Sequence, residues 1–165
     1  MKTLYKYMTM AVLAVVTMCV FSACGGDDGD DLPEGYVKTT EGVHRIEVSF
    51  DGDLKGWNGQ LMFIATYGTS RDVKIYENGQ ILADDGGVII EQVRNITVES
   101  EAKCDQMNVA VTIQHYPGAS VNPITIILKG YVNGTQKNMK TVEIPSTEAY
   151  KTIIFNAENI GADVL

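Results

Sequence analysis

The segment Asp51-Gly52-Asp53-Leu54-Lys55-Gly56-Trp57-Asn58-Gly59 gathers the side chains with the most chemical potential in this chain, including its only tryptophan. A flat indole can cover the C–H face of a pyranose ring, while carboxylates and amides take the hydroxyls. Trp57, Asp51, Asp53 and Asn58 are therefore candidate ligand-binding residues, with a glycan as the matching ligand. The plainer alternative folds Trp57 back to plug one end of the domain, because aromatic side chains bury large areas. The two aspartates and Gly56 also have the spacing that opens a calcium loop. Lys55 then stands at the fifth position, where an oxygen is needed, and Met62 at the twelfth, where a bidentate glutamate belongs. A glycine-rich connector is expected there, and no metal. Tyr116, in His115-Tyr116-Pro117-Gly118, offers a ring and a hydroxyl at a second candidate rim, against a simple turn.

Catalytic chemistry finds little footing. His44 and His115 are the only histidines, and neither adjoins a serine or cysteine. There is no Gly-x-Ser-x-Gly elbow, no His-Glu-x-x-His and no paired-cysteine spacing. A glycosidase carboxylate pair is defined in space and leaves no sequence signature, so a small hydrolase or inhibitor stays as a distant alternative. Cys104 lies in the charged stretch Glu99–Asp105, expected to be an exposed connector, with Lys103 as its one adjacent base. A reactive thiol needs more than that, and the residue reads as incidental. The expectation is a non-enzyme without cofactors.

The elements that must position these residues are strands. Asn-Gly tolerates the two positive φ angles of a type I′ turn, and Asn78-Gly79 and Asn133-Gly134 each separate two apolar-alternating runs. They predict hairpins joining Val73–Glu77 to Gln80–Ala83 and Ile124–Val132 to Gln136–Ile144. Asn58-Gly59 opens a further strand ending at Tyr67, apolar on both faces over Leu61–Tyr67 and so expected to be central and covered on both sides. In Met107–Gln114, Met107, Val109, Val111 and Ile113 share one face, with Asn108, Ala110, Thr112 and Gln114 on the other. Val43–Phe50 alternates likewise, and Val93–Glu99 and Lys151–Phe155 complete the set. Asp84-Asp85-Gly86-Gly87 reads as a turn. Beyond the leader no helical apolar period occurs, although Pro145–Ala149 and Glu99–Asp105 could each hold one helical turn. Eight or nine short strands with Gly and Asn turns predict an all-β fold. It is a single antiparallel two-sheet β-sandwich of Ig-like or jelly-roll type, with a small β-barrel as the alternative.

The amino terminus has a different character. Lys2 and Lys6 precede an apolar run from about Met8 to Phe21, then Ser22-Ala23-Cys24. That order is a secretory signal. Small residues leading into cysteine resemble a bacterial lipobox, which implies cleavage before Cys24 and lipidation of its sulfur. Two or more acyl chains hold a protein stably at a membrane, where one does not. Gly25 follows the cysteine, and Asp27-Asp28-Gly29-Asp30-Asp31 comes next. This resembles the export signal of Bacteroidota-type surface lipoproteins. The resemblance implies an outer-membrane location facing the cell exterior, or alternatively the periplasm. Residues 24–35 also read as an acidic linker, giving a signal peptide at 1–23, a tether at 24–35 and a β-sandwich domain at 36–165.

Charge bounds the partners. The formal net charge of the chain is -8, and its three arginines, Arg45, Arg71 and Arg94, are scattered. No basic stripe invites nucleic acid. The reading is a non-catalytic cell-surface lipoprotein, a binding or accessory module for a glycan or an envelope protein. The main alternative is a structural subunit of a surface fibre or adhesin, adding a strand through 151–155 and the tail to Leu165.

Overall fold

The structure is a computed structural model and describes residues 39–68 and 73–158. The leader, Cys24, the tether and the tail to Leu165 lie outside the described residues.

Ten strands are described: β1 (His44–Gly52), β2 (Trp57–Thr66), β3 (Ile75–Glu77), β4 (Gln80–Ala83), β5 (Gly87–Ile90), β6 (Ile96–Ser100), β7 (Gln106–His115), β8 (Ile124–Val132), β9 (Thr135–Ile144) and β10 (Tyr150–Asn156). Six form one sheet in the order β4-β3-β6-β1-β8-β9, and four form the other in the order β10-β7-β2-β5. Neighbouring strands are antiparallel throughout. The sheets stay separate, so the molecule is a two-sheet β-sandwich and the barrel alternative is set aside.

Period-two alternation explains the layers. Ile46 and Val48 of β1, Ile126 and Leu128 of β8, Leu61 and Phe63 of β2, Val109 and Val111 of β7, and Phe155 of β10 all point between the sheets and are buried in one core. Both Asn-Gly pairs make the expected turns: Asn78 and Gly79 have φ of 51° and 76°, Asn133 and Gly134 of 49° and 77°. Asn133 also accepts a hydrogen bond at its Oδ1 from the Val43 N–H at 3.0 Å, tying this hairpin to the entry of β1.

Gly130 permits one close approach. It lies beside the bulge between β8 and β9, where Ala157 crosses its inner face. A Cβ there would stand 2.7 Å from the Ala157 carbonyl carbon and nearer still to its oxygen.

Several expectations need correction. Asp84-Asp85-Gly86 bends as expected, with Gly86 at φ 74°, but Gly87 already belongs to β5, because β2 supplies a partner edge through Leu61–Ile64. Neither expected helical turn forms. Pro145 accepts an i+3 hydrogen bond from the Glu148 N–H at 3.0 Å and the chain returns directly to β10. The 101–105 segment turns through Lys103 at φ 70° and bridges Cys104 to Gly42. Cys104 is consequently fully buried, its thiol donating to the Gln106 carbonyl at 2.7 Å. The local charges that suggested exposure belong to its neighbours.

Candidate functional site

The two outward faces of the sandwich differ in charge. On the six-stranded sheet, Arg45, Glu47 and Asp51 of β1, Glu99 of β6, Lys129 of β8 and Glu143 of β9 face away from the core. Arg45 lies 4.0 Å over the Tyr131 ring and 3.4 Å from Glu47, which accepts from the Tyr131 hydroxyl at 3.1 Å. That face is a solvated, ion-paired surface.

The four-stranded sheet is unlike it. Its outward positions are Asn58, Gln60, Met62, Ile64 and Thr66 on β2, and Gln106, Asn108, Ala110, Thr112 and Gln114 on β7. Tyr150, Thr152, Ile154 and Asn156 follow on β10, with Gly87 and Ile89 on β5. None carries a formal charge, in a chain that is 21% Asp, Glu, Lys and Arg. Met62, Ile64 and Ala110 form a small buried cluster in its middle, although no third sheet or helix among the described residues lies over them. Ile89 is exposed on the β5 side, and at the end nearest the β1–β2 loop Asn58, Gln114 and Tyr150 stand side by side across three strands.

Tyr150 has a defined pose. Its hydroxyl accepts from Thr152 Oγ1 at 2.9 Å, and Thr152 Oγ1 is 3.1 Å from Thr112 Oγ1. Thr152 is two positions along the same strand and on the same face, about 6.6 Å of rise away. The phenol meets that hydroxyl by lying along the sheet instead of standing off it. Its residue is nevertheless 47% exposed, so one ring face is open to solvent. Glu148 and Lys151, which flank it in sequence, pair with each other at 2.9 Å. In the next row Gln60 is 3% exposed, and its Oε1 has no hydrogen-bond partner among the described residues. A buried carbonyl oxygen left this way costs about 1–3 kcal/mol until a donor reaches it.

The structure separates the residues singled out from sequence. Trp57 is not displayed: it is the first residue of β2, faces inward and is 6% exposed. Its ring meets His115 edge-on at 4.9 Å, and its Nε1–H donates to the Asn122 carbonyl at 3.0 Å. The alternation of β2 overrides the polar loop before it, so the indole plugs the core and cannot serve as an open platform. Asp51 is on the outward face of the six-stranded sheet, and Asn58 is on the opposite side of the sandwich. Asp53 shapes its own loop, accepting from the Lys55 N–H at 3.0 Å and from Asn122 Nδ2 at 3.4 Å. Tyr116 is 53% exposed, one residue beyond β7 at the end that carries Asn58. Asn58 and Tyr116 thus share an end of one sheet; Asp51 does not join them.

Tyr150, Gln114 and Gln60 were not identified by motif. A usable signal was present: the polar residues of 106–114 are amides and hydroxyls, as are those of 150–156 apart from Lys151, whereas those of 43–50 include Arg45 and Glu47. No group of three His, Cys, Asp or Glu side chains among the described residues could hold a metal ion. Burial pushes the Cys104 thiol up to about 11, which keeps it protonated and unreactive near neutral pH.

No family model matches the chain, and no curated protein matches it. Solved structures do. A DUF4425 family protein from Bacteroides ovatus is 20% identical, with a TM-score of 0.60 over 71% of this chain and 94% of that one. A domain of unknown function, DUF4425, from Bacteroides vulgatus is 15% identical, with a TM-score of 0.63 over 73% and 98%. The calcium-bound form of a protein from Parabacteroides distasonis is 16% identical, with a TM-score of 0.58 over 80% and 100%. At these identities the likeness establishes a shared fold. All three neighbours come from Bacteroides or Parabacteroides species.

Proposed function

We propose that this chain is a lipid-tethered, outward-facing module of the outer membrane that binds and does not catalyse. Its ligand surface is the uncharged face of the four-stranded sheet. The observation that carries this reading is the contrast between that face and the ion-paired face behind it. Solvation is the usual reason for an exposed sheet surface to be charged, and charge is depleted where a surface is covered by a partner. The lipobox-like Ser22-Ala23-Cys24 and the acidic residues after it support the placement. A hydrolase would need converging carboxylates, and this face has none.

The calcium held by the Parabacteroides neighbour is not carried over. No group of three His, Cys, Asp or Glu side chains among the described residues is placed to hold such an ion, and at 16% identity the likeness speaks for the fold alone. A fibre-subunit role has less support. Residues 151–155 lie in β10, an edge strand paired only with β7 that carries Lys151, and the long edge strand β9 carries Lys137 and Lys140, charges that resist strand addition.

Two measurements test the reading. Cells grown with an alkyne-tagged fatty acid should label the wild-type protein and leave Cys24→Ser unlabelled, and protease added to intact cells should degrade the labelled protein. Hydrogen exchange on the purified lipoprotein, with outer-membrane vesicles from a strain lacking it, should show added protection in 106–115 and 150–156. Protection confined to the six-stranded sheet, or none, refutes the assignment of the face.

A further inference from the structure

We infer, resting on the binding reading above, that the ligand of this face is a neutral glycan and that Tyr150 is the ring on which a pyranose lies. A sugar ring presents a patch of C–H bonds above and below and hydroxyls around its rim. Recognition therefore needs a flat aromatic surface bordered by uncharged donors and acceptors. The Asn58–Gln114–Tyr150 row has that composition in register across three strands. The Thr152 hydrogen bond holds the phenol along the sheet before any ligand arrives, which lowers the ordering cost of binding. The two amides offer donors and acceptors at the rim, and Tyr116 adds a second exposed ring at the same end.

The absence of charge decides between glycans. A uronate or sulfate bound here would lose water and find no cation at the outward positions of these strands, a cost that neutral sugars avoid. A protein partner is the less favoured occupant, because the accessible row is polar, Asn58 and Gln114 beside a tyrosine, whereas the dry core of a protein interface is apolar.

The test is affinity electrophoresis of the detergent-solubilised lipoprotein in native gels. One set of gels contains neutral polysaccharides (mannan, xylan, a β-glucan and an α-glucan), and the other contains polygalacturonate or chondroitin sulfate. Retardation by at least one neutral polymer and by neither acidic one is expected, unchanged when salt is raised from about 0.05 to about 0.5 M. Tyr150→Ala should weaken it by about tenfold or more. Met139→Ala, on an exposed residue of the other sheet, should leave it unchanged. Thermal melts separate lost binding from lost fold. Preference for the acidic polymers, or a folded Tyr150→Ala variant that is retarded like wild type, overturns the inference. If no neutral polymer retards the protein while vesicles still protect β7 and β10 from exchange, the glycan assignment fails and the binding reading survives. Loss of both results refutes both.

Discussion

Replacing Trp57 by alanine tests whether the indole is structural. The side chain is 6% exposed within the main core, so truncation removes its packing against both sheets. Buried Trp→Ala changes cost about 3–5 kcal/mol. Trp57 sits at one end of the sandwich, where the β1–β2 loop can partly collapse and water can reach the freed Asn122 carbonyl. The lower end of that range, about 3 kcal/mol, is the expected value. Trp57→Phe keeps a ring against His115 and gives up the donor at 3.0 Å, so its cost should be about 1 kcal/mol. The coupling between Trp57 and His115 in a double-mutant cycle should be about 0.5–1.5 kcal/mol, the range for edge-on aromatic pairs. Equilibrium urea unfolding followed by far-ultraviolet circular dichroism measures all three, with an unchanged m-value expected. The reasoning is refuted if Trp57→Ala shifts stability by less than about 0.5 kcal/mol while abolishing retardation by a polysaccharide. That result would mean an indole available to ligand.

Three further outcomes follow from the geometry. Gly130→Ala should destabilise by about 1–3 kcal/mol in urea despite the loss of backbone freedom in the unfolded chain, because the methyl meets the backbone of Ala157; a neutral result would show that β10 can shift away. Burial raises the Cys104 thiol from its ordinary 9.0 to about 11, so the unfolded chain releases this proton at lower pH than the native one. Its contribution is complete below about pH 9 and lost as pH climbs towards 11, and urea midpoints should fall more steeply across that window for wild type than for Cys104→Ala. Arg94 donates twice to Glu77, with Nη2 to Oε2 at 2.8 Å, and this hydrogen-bonded pairing holds the Glu77 carboxyl below its ordinary 4.5. That stability is present above pH 4.5 and lost as pH falls through the lowered native value; Glu77→Gln should cost less than about 1 kcal/mol at neutral pH and nothing in strong acid.

Much of the architecture was legible because it rests on local rules. Period-two alternation in 43–50 and 107–114 assigns each side chain to a face without reference to any partner strand. The Asn-Gly pairs declare their turns because few other residues accept two consecutive positive φ angles. The leader is similarly local, a charge, an apolar run and a small-residue site in fixed order. Where local cues misled, tertiary pairing was the cause. Gly87–Ile90 is too short to announce itself and becomes a strand because β2 has an open edge. Cys104 stands among charges yet is drawn inside by its bridge to Gly42.

The candidate site depended most on such non-local facts. Residue types and order were enough to predict a β-sandwich and its two hairpins. They also kept Asn58 and Tyr116 in view as surface side chains. Strand adjacency decided the rest: that Asp51 and Asn58 stand on opposite sides, that Trp57 is core, and that Asn58, Gln114 and Tyr150 share a row. The reason is geometric. Alternation tells a residue which way to face relative to its own strand, whereas its neighbours come from pairings such as β2 with β7, whose aligned residues are separated by tens of positions. Sequence distance carries no record of those alignments.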